Sequence, residues 1–245
     1  MIRDLETTLA SGARATLKYQ VLTNKACLQR TLEGQHLDSD LVSGVYEGGL
    51  KIWECSLDLV HYIARNPDIV RGKRVLELGC GQGLPGICAL IHGQASNVMF
   101  QDYNEEVLEK ATTKTVSLNA NATPDAEVLL SRCDFRYGSW ESLALTLDKE
   151  SFDVILMSET LYNTAYYDSL LSIINHCLTP EGLVVIGTKT LYFGLGGGLF
   201  EFQQHLLRGG NLFTLEVVEK LNDLKSIERM IIHMTRAKAD AIKEE

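Results

Sequence analysis

The chain is poor in the features that divide, export or anchor a protein. Only four of its 245 residues are proline, and no Pro-rich or Ser/Gly-rich stretch marks a linker. No apolar run approaches the roughly 20 residues needed to span a bilayer, and the opening Met1-Ile-Arg-Asp-Leu-Glu lacks the apolar centre of a signal peptide. The six cysteines (Cys27, Cys55, Cys80, Cys88, Cys133, Cys177) form no C-x-x-C pair and have no histidines nearby at zinc-ligand spacing. No metal site is therefore expected, and the thiols are read as free in a reducing compartment. Basic residues number 23 against 32 acidic ones, a net charge of −9. That balance argues against direct nucleic-acid binding through a basic face and leaves room for a basic protein partner. The expectation is a soluble, intracellular monomer with no membrane attachment.

What the chain does have is alternation. With 45% of its residues hydrophobic it can bury one sizeable core. Short apolar runs at Arg74–Leu78, Asn97–Gln101, Glu127–Arg132, Phe152–Met157 and Leu183–Thr188 read as five strands. Lys51–Ala64, Leu84–Ile91, Asn104–Leu118, Tyr166–Cys177 and Leu199–Leu207 carry helical character. Leu212–Val218 and Ile227–Met234 close the chain as two strands joined by a polar turn around Asn222-Asp223. The pattern predicts an α/β fold: a Rossmann-like, doubly wound seven-stranded sheet, mostly parallel, with a C-terminal antiparallel hairpin. Residues 40–235 form that domain, and 236–245 a charged tail. Residues 1–39 are an extension in which Leu17–Leu22 and Cys27–Leu32 are expected to pair around Thr23-Asn24.

The most informative stretch is Val75-Leu-Glu-Leu-Gly-Cys-Gly-Gln-Gly83. A strand ends, Gly79, Gly81 and Gly83 turn tightly, and a helix begins near Leu84-Pro85, where proline's missing N–H costs little. Glu77 precedes the glycines, and Asp102 follows the second strand, where a carboxylate can accept both hydroxyls of a ribose. Hydrogen bonds to a charged group are worth about 1.5–3 kcal/mol each. Gly81-Gln-Gly-Leu-Pro-Gly86 also matches the dinucleotide fingerprint. The E-x-G-x-G-x-G context from Glu77 and the closing hairpin favour S-adenosylmethionine over NAD.

Five further segments occur in order: Leu41-Val-Ser-Gly-Val-Tyr-Glu-Gly-Gly-Leu-Lys-Ile-Trp-Glu-Cys55, Gln101-Asp-Tyr-Asn104, Gly138-Ser-Trp140, Ser158-Glu-Thr-Leu-Tyr-Asn163 and Tyr192-Phe-Gly-Leu-Gly-Gly-Gly198. Through them the sequence resembles the eukaryotic protein-histidine N-methyltransferases that modify a large-subunit ribosomal protein, over about residues 40–235. The resemblance implies that Ile52, Trp53, Glu54, Cys55 and Ser56 border the methionine end of the cofactor. It likewise implies cofactor contacts for Gln101, Asp102, Tyr103 and Ser158. Trp53 and Glu54 also begin a helix, whose free N–H groups can receive a carboxylate; a core anchor is the plainer role for Trp53. Trp140, after the third strand, can stack on adenine while the backbone of Gly138 and Ser139 reads its edge, or can simply pack. Glu159 and Tyr162 form an E-x-x-Y motif at the end of the fourth strand and are the candidates for handling the substrate side chain, helix capping being the alternative for Glu159. Tyr192, before a run of glycines, is read as part of a mobile wall over the substrate, or else as the anchor of a tight loop. Tyr166-Tyr167 is read as packing. Family members carry a basic insertion before the third strand; here Ala120–Asp125 is short, so a nuclear location beside the cytoplasmic one is not supported by that segment.

The implied reaction is displacement at the sulfonium methyl group by a histidine nitrogen, expected to be the tele one, of a basic ribosomal protein. Neutral imidazole is already nucleophilic near pH 7, so alignment matters more than a strong base. Protein-lysine methylation is the nearest alternative, and a non-catalytic cofactor-binding scaffold the more distant one.

Overall fold

The computed structural model describes residues 1–22, 44–210, 212–222 and 227–237. Continuous apolar runs make its inner strands. β3 (Arg74–Leu78), β6 (Phe152–Ser158) and β7 (Leu178–Lys189) are buried through most of their length, as strands covered by helices on both faces must be. With β4 (Asn97–Asp102), β5 (Cys133–Tyr137), β8 (Phe213–Leu221) and β9 (Arg229–Arg236) they form a seven-stranded sheet in the order β5-β4-β3-β6-β7-β9-β8. All neighbours are parallel except β9, which runs antiparallel to both β7 and β8. The expected fold class is the observed one.

One face is covered by α1 (Glu54–Arg65) and α2 (Leu84–Ile91), whose Leu59, Val60, Ile63, Ile87 and Leu90 join one core cluster. The other face carries α6 (Trp140–Ala144), α7 (Tyr167–Cys177) and α8 (Leu199–Arg208), with Tyr167, Leu170, Ile174 and Phe202 in a second. The chain winds outward from β3 through β4 to β5, then returns to β6 on the opposite side of β3. The crevice beyond the carboxyl ends of β3 and β6 is therefore a topological switch point, the usual ligand site of such sheets.

Two local expectations are corrected. Glu127–Arg132 is not the third strand: Ala126–Leu130 is a short helix, α5, and the strand is Cys133–Tyr137. β5 lies at the edge of the sheet and is half-exposed, so it needs no apolar run. The stretch expected as one helix from Asn104 is broken into α3 (Glu105–Val107), a π turn over Leu108–Thr112 and α4 (Thr113–Ala120). The π turn carries the Thr112 hydroxyl to the Gly81 carbonyl, tying this helix to the glycine loop. The N-terminal hairpin pairs β1 (Ile2–Thr8) with β2 (Arg14–Gln20); Cys27–Leu32 lies outside the described residues. Two amide side chains hold β2 to the domain. Asn119 accepts from Lys18 N and donates to Lys18 O, both at 2.7 Å, and Gln82 does the same with Gln20 at 3.1 and 2.7 Å.

Candidate active site

The glycine loop leaves β3 with Gly79, Gly81 and Gly83 all at positive φ (62°, 53° and 74°). At Gly81 a Cβ would stand 2.9 Å from the Gly49 carbonyl oxygen, so a side chain there would fill the cradle. Asp102, buried at the end of β4, accepts from Gly81 N at 2.9 Å and from Asn104 N at 3.2 Å. Burial pushes its carboxyl up to about 6. The N–H groups of Gly81, Asn104 and Tyr103 oppose that rise, and the charge of Glu47 adds to it.

Gln101 works from behind. Its Oε1 accepts from Gly79 N (3.2 Å) and Trp140 Nε1 (3.0 Å), and its Nε2 donates to Gly138 O (2.8 Å). One side chain thus fixes the glycine loop, the indole and the Gly138 turn relative to one another. Ser139 caps α6 by accepting from Ser142 N, which sets Trp140 at the start of that helix.

At the other end, β6 delivers Glu159. Its backbone is left-handed (φ 56°), a conformation seldom adopted outside glycine, and its side chain is buried. Oε1 accepts from Cys55 N at 3.4 Å, at the start of α1, and lies 3.5 Å from Lys189 Nζ; Lys189 also pairs with Glu54 at 3.2 Å. The helix end expected to receive a ligand carboxylate thus already holds a carboxylate of the protein. Oε2 of Glu159 is buried and makes no well-formed hydrogen bond, while the carboxyl lies close enough to the Tyr192 hydroxyl for its charge and a hydrogen bond to push that phenol up, after burial.

A third feature is aromatic. Trp140, Tyr166, Tyr162 and Tyr192 follow one another edge-to-face, with centroids 6.4, 6.3 and 6.4 Å apart. Glu47 accepts from the hydroxyls of Tyr162 and, at 3.0 Å, Tyr166. Burial, then the hydrogen bond and charge of Glu47, hold the Tyr162 hydroxyl far above its ordinary range, so it serves as a donor.

One cavity gathers most of the expected residues: Ile52, Trp53, Ser56, Gly79, Gly81, Asp102, Tyr103, Gly138, Ser139, Trp140, Ser158, Glu159, Tyr162 and Tyr192 all line it. Five do not. Glu54 faces Lys189 outside it, and Cys55 turns its backbone N–H and its thiol to Glu159 behind the wall. Gly83 packs on Phe100, while Gln101 braces the wall from behind. Glu77 lies beneath the loop, accepting from Gly86 N at 2.8 Å, so its carboxyl caps α2. Burial pushes it up to about 8.

The mobile wall is also corrected. Tyr192 N donates to Gly197 O and Gly197 N to Tyr162 O, both at 3.0 Å, and Gly196 bridges to Asn163. A Cβ at Gly197 would stand 2.3 Å from the Leu161 carbonyl oxygen, so these glycines serve a tight, pinned path. Glu47 and Lys189 were not singled out from the sequence, and Tyr166, read as packing, lines the cavity. Glu47 had a usable signal, lying among glycines inside a recognised segment.

Known proteins resemble the chain at two levels. Among solved structures, the ribosomal protein L11 methylase of Lactobacillus delbrueckii subsp. bulgaricus superposes with a TM-score of 0.52 at 18% identity, covering 82% of this chain and 91% of that one. The YcgJ protein of Bacillus subtilis gives 0.56 at 11%, covering 74% and 99%. These likenesses concern the fold. In sequence, the chain is 40% identical to a histidine protein methyltransferase 1 homolog of Dictyostelium discoideum, over 80% of this chain and 60% of that protein. It is 39% identical to the homolog of Bos taurus, over 80% and 57%. The chain thus spans about three fifths of these relatives' length. A family model described as lysine methyltransferase matches residues 34–192. That match takes in more than half of the chain, from before Glu47 to Tyr192, and the chain belongs to the lysine methyltransferase family.

Proposed function

We propose that this chain transfers the methyl group of S-adenosylmethionine to the tele nitrogen of a histidine in a basic large-subunit ribosomal protein, as a monomer of the cytoplasm. The observation that carries the reading is the buried carboxyl of Glu159 in the lining of the same cavity as the glycine loop and Asp102. The names of the relatives in Dictyostelium and cattle support histidine as the target.

The residues suit this methyl donor better than a dinucleotide. A pyrophosphate needs free N–H groups at the start of α2. Pro85 has none, and Gly86 N is committed to Glu77. Asp102 would take the ribose hydroxyls, Trp140 with Gly138 and Ser139 the adenine, and the loop through Ile52, Trp53 and Ser56 the methionine end. Bound there, the cofactor supplies a sulfonium-activated methyl group.

The chain's own groups then have three tasks. Glu159 Oε2 accepts the N–H of the substrate's far nitrogen, which leaves the lone pair on the near nitrogen facing the methyl group. The same oxygen receives that proton as the imidazole becomes cationic. Lys189 and Cys55 N hold Oε1 and so prevent the carboxylate from turning away. The aromatic row from Trp140 to Tyr192 excludes water along the path. The tele nitrogen lies farther from the peptide backbone than the pros, and so reaches deeper into a cleft.

Incubation with tritiated S-adenosylmethionine and salt-stripped large-subunit ribosomal proteins tests this. One basic protein should carry label; no label from a chain that binds S-adenosylhomocysteine would refute the substrate assignment. Lysine is the second reading, favoured by the description of the family model and by two carboxylates, Glu47 and Glu159, that could hold an ammonium. Lysine must first lose a proton, so its rate would keep climbing toward pH 10, whereas an imidazole levels off above about 7.

A further inference from the structure

Between Lys189 at the end of β7 and the start of α8 the chain turns outward large apolar side chains that nothing in the core requires. Leu191 is 42% exposed, Phe193 78%, Leu195 43%, and Phe200 on the first turn of α8 62%. Elsewhere among the described residues exposed apolar groups such as Val128 and Leu145 are single, or come in pairs such as Met1-Ile2, and none of those named lines the cavity. Looseness does not explain the cluster, because the loop is pinned by the backbone bonds of Tyr192 and Gly197 and by the Gly196–Asn163 bridge. A fixed backbone holding several large apolar side chains in water is unusual on a monomer without a partner for them.

The position names the partner. Tyr192 and Leu195 line the cavity, so the exposed patch runs into its mouth. A side chain that reaches Glu159 belongs to a backbone that crosses this rim, and its neighbours one to three positions away lie within about 10 Å at the rise of extended chain. The rim also carries acid. Glu47 and Glu141 line the cavity against one lysine, Lys51, and Glu54, paired with Lys189, stands beside it with half its side chain exposed.

We propose that the 191–200 patch is the docking surface for the methylated polypeptide. Phe193 covers a large apolar residue within three positions of the target, and basic residues of the same segment meet the acidic rim. The inference rests on the protein-substrate reading above and adds the sequence character of the site that is recognised.

Phe193→Ser and Leu191→Ser test it, with Val128→Ser, on the helix preceding edge strand β5, as the control. Methyl transfer is followed from tritiated S-adenosylmethionine into a salt-stripped ribosomal protein fraction at increasing protein concentration. Both loop variants should need at least about tenfold more fraction for half-maximal rate. Maximal rate, S-adenosylhomocysteine affinity and melting temperature should stay at wild-type values, and Val128→Ser should match wild type throughout. Superimposable curves for wild type and Phe193→Ser would overturn the docking surface alone. No transfer by wild type itself would overturn the parent reading and this one with it. A wild-type dimer in sedimentation that becomes monomeric in Phe193→Ser, with transfer unchanged, would assign the patch to a second copy of the chain and overturn the proposal.

Discussion

Asp102 allows recognition of the cofactor to be titrated. Its carboxyl sits at about 6 because it is buried, with three backbone N–H groups only partly offsetting the loss of water. An ionised carboxylate accepts the two ribose hydroxyls; a protonated one has lost most of that capacity. At pH 8 nearly every molecule carries the ionised form, and at pH 5 only about one in eleven does. Binding of S-adenosylhomocysteine should therefore weaken about tenfold from pH 8 to pH 5. The unliganded fold responds in the opposite direction. From its ordinary value of 3.8 up to about 6 the folded carboxyl keeps a proton that the unfolded one has released. Stability from this group thus falls as pH rises through that window, by about 3 kcal/mol in all. Calorimetric titration from pH 5 to 8 measures the first effect; the difference in thermal unfolding between wild type and Asp102→Asn isolates the second. A wild-type affinity that stays constant across the range, or an Asp102→Asn profile as steep as that of wild type, would refute the assignment.

Three further outcomes follow from contacts in the site. Glu159→Gln should lower methyl transfer about 10²-fold while leaving S-adenosylhomocysteine affinity within about twofold; the reverse pattern would move Glu159 to the cofactor side. Gly86→Ala would bring a Cβ to 2.5 Å from both Glu77 Oε2 and the Phe100 ring, costing about 1–3 kcal/mol, so an unchanged melting temperature would remove the packing described around α2. Tyr192→Ala should lower melting temperature and activity together, because the hydroxyl bonds to Thr188 and to Lys189 N at 3.3 Å and the ring closes the aromatic row. Loss of activity at unchanged melting temperature would restore the mobile wall.

The sheet was legible where burial writes itself into composition. Arg74–Leu78 and Phe152–Ser158 are buried on both faces and read as unbroken apolar runs. Cys133–Tyr137 was missed because no residue of this edge strand is fully buried and its sequence carries no apolar run, while the apolar triplet Val128-Leu-Leu130 next to it belongs to a helix. In the N-terminal hairpin only Thr7 of β1 is buried, and the second strand is tied down by Gln82 and Asn119, far away in sequence. The glycine loop, Asp102, Trp140 and Glu159 could be placed along one sheet edge from the sequence because they follow or end β3, β4, β5 and β6 in turn. Glu77 and Gln101 also have structural tasks that the sequence does not announce. Their types mark a cofactor loop, yet only the coordinates reveal that one caps a helix and the other braces the wall. Glu47 and Lys189 act through partners more than 25 residues away, Tyr162 and Glu159, a pairing that no local pattern carries.

The central claim is that an imidazole nitrogen receives the methyl group. Its most direct test is acid hydrolysis of protein labelled by this chain from tritiated S-adenosylmethionine, with the radioactive amino acid identified by chromatography against standards. The account predicts tritium in tele-methylhistidine. Recovery of the label in methyl-lysine would contradict it.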